Sequence, residues 1–181
     1  MVRVIRVVTL VGLMGAGKTT VAKRLAKRWA HAGWRAVDLD REIERRAKKK
    51  IPAIFAEDGE AAFRALEADT LRAVLALDHV IVATGGGAPC QPGAMDAILA
   101  AGPAVWLDAP AALLAERAVA GGGRPLLDGL DRDAAAAKLE EQRAARGAHY
   151  ARADVTVDAS RGPAASVDDI VAALIWRAST P

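Results

Sequence analysis

This chain is poor in the residues that build metal clusters, cross-links and stacking surfaces. It has one cysteine, Cys90, among 181 residues, which excludes an internal disulfide and every zinc pattern built on paired cysteines. His31, His79 and His149 are scattered without ligand spacing, so no structural metal is implied. Aromatics are scarce as well, at four Trp, two Phe and one Tyr. With so few rings and a formal charge of only +3, neither base stacking nor a strong phosphate-backbone footprint is available, and nucleic acid is not an expected partner. No apolar run reaches the length of a membrane span, and Arg3 and Arg6 interrupt the first apolar stretch, which argues against a signal peptide. A cytoplasmic protein with no membrane partner is expected.

Apolar residues nonetheless make up 52% of the chain, mostly Ala, Val, Leu and Ile. That suffices for one domain over residues 1–181 with a real core. The stretch around which it is organised is Val7-Val8-Thr9-Leu10-Val11-Gly12-Leu13-Met14-Gly15-Ala16-Gly17-Lys18-Thr19-Thr20. A β-branched run enters the spacing G-x-x-x-x-G-K-S/T, and a helix-forming segment, Val21 to Ala26, follows at once. Strand, glycine loop and helix in that order are the context of a P-loop. Gly12, Gly15 and Gly17 allow backbone N–H groups to converge on phosphate oxygens at a helix N-terminus. Lys18 can reach the β- and γ-phosphates, and the Thr19 hydroxyl can ligate Mg2+. A nucleoside triphosphate is the expected ligand.

Further on, Trp34 to Val37 reads as a short strand closing on Asp38-Leu39-Asp40. Alternation along a strand would turn both acids the same way, towards a Mg2+ shell or a hydroxyl, although two helix-capping acids would look the same. Arg45 to Lys50 is the densest charge run and reads as a solvated helix end. Pro52 suits a first helical turn, Gly59 breaks that segment, and a second helix runs towards Leu77 with Phe63, Leu66, Leu71, Val74 and Leu75 as its apolar stripe. Arg64 and Glu67 lie three apart and could pair with each other. His79 to Ala83 is a strand buried on both faces, ending in Thr84-Gly85-Gly86-Gly87, where a ligand could approach the backbone. The segment from Pro92 to Ala101 reads as a helix and 104–107 as a strand, with another helix carrying Arg117 late in its course. The glycine-rich stretch 120–129, with Arg124, has the composition either of a lid over a transferring phosphate or of a flexible connector. A long helix from Asp131 bears Arg143 and Arg146 and runs into Tyr150, Val155 to Val157 is the fifth strand, and a closing helix follows the loop at Arg161 and Pro163. Five strands alternating with helices predict a doubly wound parallel sheet with the P-loop strand central and helices on both faces.

Taken together, GLMGAGKTT at 12–20, DLD at 38–40, IFAEDGEAAFRALE at 54–67, GGGA at 85–88, RPLL at 124–127 and the step from Arg146 to Tyr150 resemble the shikimate kinase family over nearly the whole chain. The resemblance implies the α/β fold of the nucleoside-monophosphate-kinase-like P-loop proteins, with a substrate-binding subregion at about 38–67 and a lid at about 120–129. It implies ATP and Mg2+ as cofactors, shikimate as the small-molecule partner, and a monomer. Gly12, Gly15, Ala16, Gly17, Lys18, Thr19 and Thr20 would hold the phosphates, with Arg117, Arg161 and Pro163 flanking the adenine. Thr19 and Asp38 would hold the metal. Asp40 would contact the acceptor hydroxyl, and Arg64 and Arg146 would grip the carboxylate beside Gly85, Gly86 and Gly87. Lys18, Asp40 and Arg124 would form the catalytic set. Two rivals are a related kinase acting on gluconate or a similar acid, and a nucleotide-binding relative without turnover. The triple glycine with Arg64 argues against the first, and the acceptor-side set against the second. The chain departs from the usual pattern at Arg146-Gly147-Ala148-His149-Tyr150, where a proline commonly stands two before the tyrosine.

Overall fold

A computed structural model describes residues 5–120 and 129–179. Five parallel strands form one sheet in the order β2-β3-β1-β4-β5. β1 (Val7–Val11) is central and completely buried, as a run of branched apolar residues requires. β3 (Val80–Ala83) and β4 (Ala104–Asp108) flank it, and β2 (Arg35–Asp38) and β5 (Val155–Asp158) close the edges. The expectation of doubly buried strands holds for β1 and β3. The edges differ: Arg35, Thr156 and Asp158 are exposed, since an edge strand has a neighbour on one side only.

The helices are α1 (Lys18–Arg28), α2 (Leu39–Ala47), α3 (Ile51–Glu57), α4 (Gly59–Leu75), α5 (Ala94–Ala101), α6 (Ala111–Ala120), α7 (Arg132–Tyr150) and α8 (Pro163–Ser179). α1 packs on α8, α4 on α5, and α6 along α7. Leu10, Leu25, Ile81, Ile98, Leu107 and Ile170 lie at the fully buried centre. α1 ends at Arg28. A short 3-10 turn, Ala30–Ala32, and a left-handed Gly33 then lead into β2. At the expected break Gly59 opens α4 with φ +84°, and Pro52 stands in the first turn of α3.

The lysine run is a solvated helix end with structure of its own. α2 stops at Ala47, Lys48 turns left-handed, Lys49 reaches Glu57 and Asp58, and Lys50 reaches Glu44.

The register brings all the strand C-termini to one edge of the sheet. Leu10 and Asp38 both pair with Ala83, Val11 pairs with Trp106, and Asp108 pairs with Asp158. The glycine loop, the residues after Asp38 and the triple glycine all leave the sheet there, which is where ligands bind in open parallel sheets. Among the described residues no helix is long and apolar enough to cross a membrane.

Candidate active site

The P-loop is built by contact with the next strand and helix. A Cβ on Gly12 would lie 2.5 Å from the Leu107 carbonyl oxygen, and one on Gly15 would run into the carbonyl of Leu114 in α6. Both residues have positive φ, so a side chain is excluded by space and by backbone alike. α1 begins at Lys18 with no side-chain cap and no acid in its first turn. α2 and α7, by contrast, are capped by Asp38 and Asp131 and carry acids there. The positive end of α1 thus meets no acid of its own, and with the glycine loop before it the site fits a polyphosphate. Lys18 is buried and donates from Nζ to the carbonyls of Gly12 and Leu13, 2.8 Å each, which keeps its charge at the mouth of the loop.

Thr19 and Asp38 meet as expected. The Thr19 hydroxyl donates to Asp38 Oδ2 at 2.7 Å, pairing two hard oxygen ligands of the kind Mg2+ prefers. Asp38 also caps α2, its Oδ1 accepting from the Arg41 N–H at 3.2 Å, so the capping reading holds for the same residue that meets Thr19. A cleft of about 360 Å3 opens beside this pair between α1, β2 and α2, lined by Lys23, Arg35 and Arg41 among others.

The expectation that strand alternation aims Asp40 needs correction. The chain turns helical at Leu39, which is fully buried, and Asp40 stands in the first turn of α2. It is aimed by the helix, and it reaches the triple glycine: a Cβ on Gly85 would lie 2.8 Å from Asp40 Oδ1 and 3.6 Å from Glu67 Oε1. The next two glycines meet the two arginines. A Cβ on Gly86 would be 3.2 Å from Arg146 Nη1, and one on Gly87 would be 3.3 Å from Arg64 Nη1. Consecutive Cα atoms are ~3.8 Å apart, so a carboxylate and two guanidinium groups converge on one short piece of backbone. The same Gly86 position lies 3.7 Å from the Gly12 carbonyl oxygen, which puts this cluster against the P-loop.

Neighbours hold the cluster in place. Arg64 donates from Nη1 to Glu67 at 2.7 Å and more loosely to Glu60, and its guanidinium stands 5.1 Å from the Phe63 ring centre. Glu67 is only 3% exposed, and burial pushes its carboxyl above the usual range against the pull of Arg64. Tyr150 is wholly buried, which pushes its phenol well up, so the hydroxyl keeps its proton and donates to the Gly86 carbonyl at 2.5 Å. Phe55 stacks on Phe63 at 4.5 Å beside Arg64.

The sequence reading had not assigned Tyr150 a partner or Phe55 a place. Only the fold shows that the Tyr150 hydroxyl meets the Gly86 carbonyl, and that two phenylalanines on either side of the Gly59 break face each other.

Arg117 reaches the late loop, donating to the carbonyls of Ala159 and Ser160 at 2.8 and 3.1 Å. Pro163 opens α8 just beyond. Arg161 points along α8 to Asp169, 3.0 Å away. Arg124 and the expected lid lie outside the described residues, apart from Ala120 and Gly129.

A phosphate loop and an acid–arginine cluster that abut at one end of a five-stranded parallel sheet place this molecule among the P-loop kinases of nucleoside-monophosphate-kinase-like architecture. The comparisons narrow this further. The family model for shikimate kinase matches residues 14–175. A shikimate kinase of Parabacteroides distasonis is 42% identical over 85% of this chain and 88% of the relative. Two solved structures superpose with 32% identity: shikimate kinase from Bacteroides thetaiotaomicron, with TM-score 0.85 over 94% of this chain and 98% of that one, and shikimate kinase from Acinetobacter baumannii in complex with shikimate, with TM-score 0.84 over 98% and 96%. The chain belongs to the shikimate kinase family.

Proposed function

We propose that this protein transfers the terminal phosphoryl group of ATP to the 3-hydroxyl of shikimate with the help of Mg2+, acting as a cytoplasmic monomer in the route to chorismate. The observation that carries the reading is the convergence of Asp40, Arg64 and Arg146 on Gly85, Gly86 and Gly87. A carboxylate for a hydroxyl and two planar cations for a carboxylate match an acceptor that bears both groups.

ATP would supply an activated phosphoryl group, and Thr19 and Asp38 would hold the Mg2+ that offsets its charge. The chain's own work is positioning and charge neutralisation. The P-loop N–H groups and Lys18 bind the phosphates, which makes leaving the β-phosphate less costly. Arg64 and Arg146 hold the acceptor carboxylate, Gly86 and Gly87 leave room for the ring, and Asp40 accepts the hydrogen bond of the attacking hydroxyl and so aims its oxygen. As the new P–O bond forms and the bond to the β-phosphate oxygen breaks, the hydroxyl proton passes to Asp40 or to water, since a loose transition state needs little base. Arg124 joins this set by its place in the sequence, and Arg117, Arg161 and Pro163 are assigned to the adenine.

Coupled ADP release is expected with shikimate and not with quinate, gluconate or no acceptor. Methylating the shikimate carboxyl should strongly reduce turnover. Equal rates with acid and methyl ester would refute the two-arginine grip.

A further inference from the structure

α7 is anchored unevenly. Up to Leu139 it is fixed by Ala135 and Leu139, both fully buried, where it packs along α6. Between Leu139 and Tyr150 it buries no apolar side chain. Gly147 falls in this span with nothing within 4 Å of where its Cβ would be, so it adds helix-weakening freedom and no contact. Yet this is the half that presents Arg146 to Gly86.

Among the described residues, two polar ties join it to other elements. One is the Tyr150 hydroxyl on the Gly86 carbonyl. The other joins Arg143 to Asp108: Nε donates to Oδ1 at 3.2 Å and Nη2 to Oδ2 at 2.8 Å, a two-pronged contact between groups 35 positions apart. Asp38 and Asp158, which end the edge strands, both accept from a backbone N–H of the turn that follows them. Asp108, as Asp38 does through Thr19, reaches across to another element. It follows Leu107, whose carbonyl stands against Gly12, so the contact links α7 to the wall of the P-loop. Arg143 and Arg146 lie three apart on one face of the helix, and fixing the first sets the rotation of the turn that carries the second.

We propose that Asp108 and Arg143 are positioning residues for acceptor binding: their contact fixes the C-terminal half of α7 to the end of β4 and so holds Arg146 over Gly86. This rests on the reading of Arg146 as an acceptor-binding group. Because the pair is part-exposed, with side chains 24% and 38% accessible, it contributes little to global stability, and its effect is local.

The test is Arg143→Met and Asp108→Asn, with KM measured separately for shikimate and ATP and with Tm recorded. The expected result is a rise of about three- to tenfold in the shikimate KM, an ATP KM near wild type, and a Tm lowered by no more than about 4 °C. Arg143→Lys, which keeps the charge and loses the fork, should fall in between. An unchanged shikimate KM, or equal rises in both constants with a larger fall in Tm, overturns the proposal. Hydrogen exchange over residues 142–150 separates this from failure of the underlying reading. Arg143→Met should speed exchange there and leave α1 unchanged whether or not the wild type accepts shikimate, and unaltered exchange overturns the positioning role.

Discussion

The two halves of the site are made by different means. The proposed phosphate half is one contiguous stretch, Val7 to Thr20, made of backbone, a single lysine and the start of a helix. The acceptor half draws Asp40 from α2, Arg64 and Glu67 from α4, three glycines from the turn after β3, and Arg146 and Tyr150 from α7. Its parts are charged side chains that must be held by one another. The difference teaches where each half is vulnerable: the first to changes in a few adjacent residues, the second to any change that shifts one element against another.

The largest effect is expected where the contiguous half is cut. Lys18→Ala removes the buried cation that sits on the Gly12 and Leu13 carbonyls and should lower kcat on the order of 10^2-fold or more while weakening ATP. Shikimate binding in the absence of nucleotide, followed by titration calorimetry, should stay near wild type. If it fell in step with ATP, the two halves would not be separable.

Arg64→Ala sharpens the contrast from the other side. Loss of one charge-assisted contact should raise the shikimate KM roughly 10- to 100-fold and leave the ATP KM alone. It also leaves Glu67 buried without its main partner, driving a carboxyl already pushed up by burial still higher. A carboxyl whose folded-state pKa exceeds its unfolded value stabilises below the unfolded value, and that stability is lost as pH rises through the folded one. Arg64→Ala should therefore melt lower at pH 8 than at pH 5 relative to wild type, and adding Glu67→Gln should erase the difference. A pH-independent loss would mean that Glu67 has found water instead.

The smallest effect lies outside both halves, on α2. Arg45, aided by Arg46 and opposed by partial burial, holds the Glu42 carboxyl down at about 2 from an ordinary 4.5. A lowered pKa gives stability that is present above about pH 4.5 and lost as pH falls towards 2. Solvent screens this cluster, since Arg45 is 70% exposed, so the expected change is slight. Glu42→Gln should flatten the acid limb of the Tm profile between those pH values without altering either KM. A change in ATP KM would show that α2 transmits to Asp38 at its N-terminus.

The amino-acid sequence by itself determined the parallel five-stranded sheet with β1 central and the P-loop with its helix, because these depend on local pattern. Branched apolar runs make buried strands and glycine spacing makes a phosphate loop, whereas Arg64 and Arg146 are assigned to the acceptor by resemblance to the family and not by their local pattern. The sequence did not determine how those residues meet. Asp40 is aimed by the first turn of α2, because a buried Leu39 starts the helix one residue after the strand ends. Glu67 could have been a surface partner of Arg64, and only its place in the fold, beside Gly85 in the turn after β3, made it a buried one. The hydrogen bond of Tyr150 to Gly86 and the contact of Arg143 with Asp108 join positions 64 and 35 apart. No periodicity reports such pairs, since the distance between two elements is set by the side chains packed between them and by the register of the strands beneath, which are properties of the assembled chain.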